Sequence, residues 1–116
     1  MKKLLVFSLF VFGMVGFAQQ TEPKHEVVGQ MVKSTFYHDN GQVSQTGFYK
    51  DAKPHGQWVS YDADGNKTAM GQYVNGEKVG KWMFWVGKDL NEVDFTDNRV
   101  AQIKKWSSSQ IVQADR

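Results

Sequence analysis

Shifting the sequence against itself by 24 residues superposes Tyr37 on Tyr61 and Trp85, Gly41 on Gly65, Gly47 on Gly71, Tyr49 on Tyr73, Gly56 on Gly80, and Trp58 on Trp82, with no gap. A fixed period in residue types as scarce as Gly, Tyr and Trp constrains the fold more than composition does. Each unit must repeat one supersecondary element and bury its apolar face against its neighbours. The register loosens at both ends. Ser34 stands where the tryptophan of the other units falls, and EVDFTDN (Glu92 to Asn98) takes the place of MGQYVNG (Met70 to Gly76) about two residues early. Degenerate end units are what the caps of a repeat array look like.

Each unit reads as a pair of hairpins. Asp39-Asn40-Gly41, Asp62-Ala63-Asp64-Gly65, Asn75-Gly76 and Asp97-Asn98 are tight-turn sequences, because Asn and Asp tolerate left-handed backbone and Gly takes it without steric cost. The runs between them are short and rich in Val, Thr and aromatic residues: Val32 to Tyr37, Val43 to Tyr49, Gln57 to Tyr61, Lys67 to Tyr73, Lys81 to Trp85, Glu92 to Phe95, and Val100 to Trp106. The expected fold is all-β, an antiparallel up-and-down meander of up to seven strands. The stretch from Asp51 to His55, with Pro54, reads as a looser connection. Gly47 and Gly71 fall inside strands, where glycine weakens a sheet unless something large must approach the backbone. A Trp or Tyr ring from the neighbouring strand is the expected occupant. Each such ring contributes up to ~4 kcal/mol from ~150 Å² of burial before ordering costs.

The string G-x-Y-x-x-G-x-x-x-G-x-W-x-x-[YW] is complete as GQYVNGEKVGKWMFW from Gly71 to Trp85. It recurs from Gly47 to Tyr61 with Ala52 in place of one glycine. This pattern resembles the MORN repeat, most closely the bacterial MORN variant labelled antitoxin, over roughly Val32 to Trp106. The resemblance implies a single-layer, twisted antiparallel sheet whose aromatic-bearing face supports interactions with proteins or membranes, and it implies no catalysis; no cofactor is expected. Gly41, Gly47, Tyr49, Gly56, Trp58, Tyr61, Gly65, Gly71, Tyr73, Gly80 and Trp82 are the residues that repeat. The third unit departs from the pattern, with no counterpart of Gly71 and with Phe95 in place of tyrosine.

The first eighteen residues have a different character. Lys2 and Lys3 precede an apolar run from Leu4 to Ala18 that closes on Gly16-Phe17-Ala18, the layout of a secretory signal peptide cut before Gln19. At 15 residues the run is short for the roughly 20 that cross a bilayer as a helix. The expected organisation is a helical signal peptide over 1–18, a flexible linker over 19–31, the repeats over 32–106 and a tail over 107–116. The expected location is the periplasm or the exterior, with membrane contact only if the signal segment is retained. With no cysteine, neither a disulfide framework nor a lipidated cysteine is available. From Gln19 onward twelve Lys and Arg face twelve Asp and Glu, so the basic excess lies in the leader and no footprint for nucleic acid remains.

Motifs that would carry chemistry are weak. Read as a calcium loop from Asp62, position 6 is Lys67 where glycine is needed and position 12 is Tyr73 where glutamate is needed. His25, His38 and His55 lack partners at ligand spacing, and no catalytic constellation is expected. The aromatics remain. Trp82 and Phe84 project to one side of their strand while Met83 and Trp85 project to the other. Trp85, Trp106 and Phe84 are the candidate partner-binding residues. The favoured expectation is an exported, non-enzymatic module that binds a protein. An immunity or antitoxin role is one alternative. Another is recognition of cell-wall carbohydrate or choline, since G-x-W-x-x-Y with a D-x-G turn is also similar to the repeats of choline-binding modules.

Overall fold

A computed structural model describes residues 21–114. The signal helix expected over 1–18 lies outside the described residues. One antiparallel sheet contains every strand: β1 (Lys24–Val28), β2 (Met31–Tyr37), β3 (Val43–Lys50), β4 (Lys53–Tyr61), β5 (Lys67–Val74), β6 (Glu77–Val86), β7 (Asp89–Thr96) and β8 (Arg99–Trp106). Each strand pairs only with its neighbours in sequence, so the described residues form an eight-stranded meander, all-β but for a short helix, α1 (Ser108–Ala114).

The buried residues form a single file across the sheet. Ser34, Gly47, Trp58, Gly71, Trp82 and Val93, one from each of β2 to β7, are buried while most of the sheet is half-buried or exposed. Ser34 pairs with Gly47, Gly47 with Trp58, Trp58 with Gly71, and Trp82 with Val93. A Cβ on Gly47 would lie closer than 3.0 Å to the Trp58 ring, and one on Gly71 equally close to Trp82. The core of this sheet is therefore tryptophan laid on bare backbone. Each indole donates its Nε1–H to the preceding strand, Trp58 to the Phe48 carbonyl at 2.9 Å and Trp82 to the Gln72 carbonyl at 3.0 Å. A neutral donor of this kind contributes about 1 kcal/mol and fixes the ring's tilt.

The same arrangement explains why the end units depart from the repeat. The strand after Val93 presents Ile103 in register, which is 54% exposed, so no ring requires glycine at position 93. At the other end Ser34 fills the tryptophan slot, fully buried, with its hydroxyl 2.7 Å from His25 Nδ1 on β1.

Two sequence expectations are corrected, at β1 and at the turn after β3. The stretch expected as a linker contains β1, which pairs along its whole length with β2 through the two-residue turn Gly29-Gln30. Within the expected 107–116 tail lies α1, which packs against β7. The connection expected to be loose at Asp51 to His55 is a tight two-residue turn. Asp51 and Ala52 both take positive φ (51° and 64°), the backbone of a type I′ hairpin. Pro54 lies inside β4 instead, beside a register shift between Gly47 and Tyr49, the kind of irregularity that tolerates a residue without an N–H.

Candidate binding surfaces

One face of the sheet carries a ladder of rings. Tyr49 meets Trp58 edge-on at 5.1 Å, Trp58 meets Tyr73 at 6.1 Å, and Tyr73 meets Trp82 at 5.0 Å. Trp82 then contacts Phe95 edge-on at 6.2 Å and stacks with Phe84 at 5.9 Å. Edge-to-face contacts of this kind place the positive rim of one ring on the negative face of the next. Burial between the two tryptophans raises the Tyr73 phenol above its ordinary value of 10.0, with a smaller contribution from Tyr49. The Lys78 ammonium sits 5.7 Å from the Trp82 ring centre and 5.6 Å from that of Phe95, a cation between two π faces. Beside Trp58 the ladder borders a half-open hollow of about 150 Å³, lined also by Gln45, Tyr49, Pro54, Ser60, Tyr73 and Trp82.

The other face carries two of the three candidates named from the sequence. Leu90 on β7 pairs with Trp85 on one side and Trp106 on the other, so the two indoles flank it in one row. Both tryptophans are half-buried. Lys104 places its ammonium 4.2 Å from the Trp106 ring centre, and Trp106 Nε1 is buried with no hydrogen-bond partner among the described residues. On the far side Trp85 borders an open depression of about 610 Å³ together with Asp62, Lys67, Thr68 and Gly87. Phe84, the third candidate, is separated from them. It points to the ladder face, where it stacks on Trp82.

The polar side chains of the turns bond to the backbone of their own and neighbouring turns. Asp62 accepts the backbone N–H of Asn66 at 2.9 Å and of Asp64 at 3.0 Å, and these bonds, that of Asn66 foremost, hold its carboxyl below the usual carboxylate value. His38 Nε2 lies 2.9 Å from the Tyr61 carbonyl, and Asn40 donates to the Ala63 carbonyl at 2.8 Å, so the turns of adjacent units are tied together. His55 Nδ1 accepts the Asn75 N–H at 3.3 Å. Among the described residues no three His, Cys, Asp or Glu converge as a metal site would require. Sequence reasoning missed Lys78 and Leu90. Lys78 could have been found from its place one hairpin turn away from Tyr73; Leu90 lies where the 24-residue register has already slipped.

No protein family matches the sequence, and no curated protein matches it either.

Proposed function

We propose that this chain is an exported, non-enzymatic MORN-like repeat protein that binds a protein partner over the Trp85–Leu90–Trp106 row. The observation that carries this reading is the row itself. Two half-buried indoles flank a leucine on a one-layer sheet, and the buried Trp106 N–H has no acceptor among the described residues. Large amphipathic rings beside an aliphatic side chain are the composition of interface hot spots. Export is supported by the Lys2-Lys3 and Leu4 to Ala18 leader pattern. The repeat motif supports the scaffold reading, since its glycines and tryptophans are spent on one another. That expenditure also weighs against stacking on sugars: Trp58 and Trp82 are only 6% and 4% exposed.

The test is photo-crosslinking in the native envelope, with a benzophenone amino acid placed at Trp85 or Trp106 and, as a control, at Val27 on β1. The expected result is one common protein adduct from positions 85 and 106 and none from 27. Adducts that are absent, or that are the same from all three positions, would overturn the reading.

A further inference from the structure

Two successive repeat units are built alike but are not filled alike. Trp58 and Tyr73 meet at 6.1 Å and 83°, and Trp82 and Phe95 meet at 6.2 Å and 79°. Tyr49 and Trp58 meet at 5.1 Å and 86°, and Tyr73 and Trp82 at 5.0 Å and 82°. The same three-ring slot therefore occurs twice. In the second, the Lys78 ammonium lies against the Trp82 and Phe95 rings, and Phe84 stacks on Trp82. Twenty-four residues earlier the sequence has Pro54 instead of Lys78 and Ser60 instead of Phe84, and the structure has a hollow of about 150 Å³ at that place. Pro54 pairs with Tyr49 as Lys78 pairs with Tyr73, so the positions correspond in space as well as in sequence.

We propose that the hollow beside Trp58 is a recognition slot for an alkylammonium group, supplied by a lysine side chain of a protein partner. Its twin shows what such a slot accepts, an ammonium at the end of a four-carbon stem. Attraction between that charge and the ring faces strengthens as water is excluded. At about 150 Å³ the hollow is well below the ~300 Å³ at which pockets for whole small ligands begin, so it takes a side-chain head and not a complete metabolite. Gln45 and Ser60, paired across β3 and β4, border the slot where the twin has Ala69 and Phe84. Their oxygens can accept N–H bonds from a primary ammonium, which has three to give, whereas a quaternary ammonium has none. The slot lies on the face opposite the Trp85–Trp106 row, so its test is independent of the partner proposed there.

The full-length chain is titrated with acetyl-Gly-Lys-Gly-amide while the indole N–H resonances of Trp58 and Trp82 are followed by NMR. The expected result is a saturable shift that is larger at Trp58 than at Trp82, which borders the same hollow but already has the Lys78 ammonium against its ring. Acetylating the peptide's ε-amine removes the charge and should weaken binding about tenfold. Pro54→Lys, which copies the second unit and supplies an internal ammonium, should abolish the shift while the far-UV spectrum stays that of a sheet. Ser60→Phe should do the same by filling the space. The proposal is overturned by equal shifts from the charged and acetylated peptides, by wild-type binding in Pro54→Lys, or by no shift at millimolar peptide. Choline binding more tightly than the lysine peptide would also overturn it and reassign the slot to a free quaternary ammonium.

Discussion

Replacing Gly71 with alanine adds one methyl group to the centre of the sheet, and the structure says where the cost arises. The new Cβ would lie closer than 3.0 Å to the five-six ring junction of Trp82, so the indole must lift. Lifting it strains the Nε1–H bond to the Gln72 carbonyl and the edge contact with Tyr73. Overpacking of this kind costs about 1–3 kcal/mol. Loss of the hydrogen bond adds about 0.5–1.5 kcal/mol. The gain from restricting the unfolded chain returns about 0.4–1 kcal/mol. The net expectation is a destabilisation of about 2.5 kcal/mol, or a fall in Tm of roughly 10–20 °C for a domain of this size. Urea unfolding followed by circular dichroism measures it. The decisive comparison uses Trp82→Leu as background. With the indole gone the methyl has space, so Gly71→Ala should be neutral or slightly stabilising there, a coupling of about 3 kcal/mol and far above the error of additivity. Gly47 with Trp58 should behave alike. If the two substitutions simply add, the ring is not what excludes a side chain from position 71, and the account of the repeat fails.

Two further outcomes follow from the backbone and from the ladder. Ala52 holds φ of 64° where the corresponding residue of the next unit is Gly76 at 85°, so Ala52→Gly should stabilise by about 0.5–1 kcal/mol: relief of about 1–2 kcal/mol of left-handed strain exceeds the added chain entropy. A lower Tm for Ala52→Gly would contradict the type I′ reading of that turn. Tyr73 has its phenol raised by burial, so its contribution is fully present below the unfolded value near 10 and is lost as pH rises through the folded value. Tyr73→Phe keeps the ring contacts and should flatten the alkaline limb of stability against pH; an unchanged limb would assign the loss to another group.

Most of the sheet was legible because its cause is periodic. A ring and the glycine it covers must recur together, so the spacing of Gly47, Trp58, Gly71 and Trp82 fixes which strands adjoin and which residues share a face. The placement of Phe84 opposite Trp85 also follows from strand alternation alone. What was not legible lacks that coupling. β1 has no glycine or tryptophan, and what marks it is the bond between His25 and the buried Ser34, a contact between unremarkable residues. The Asp51-Ala52 turn was obscured by Pro54, a residue that signals a loop unless a register shift accommodates it. At the candidate sites the same division holds. Positions identical between units are committed to holding the sheet, so they leave little surface for recognition. The informative positions are those where the units differ: Pro54 against Lys78, Gln45 against Ala69, Ser60 against Phe84. A repeat that fills one slot with its own lysine and leaves the equivalent slot hollow has, by that difference, made a site without altering its framework.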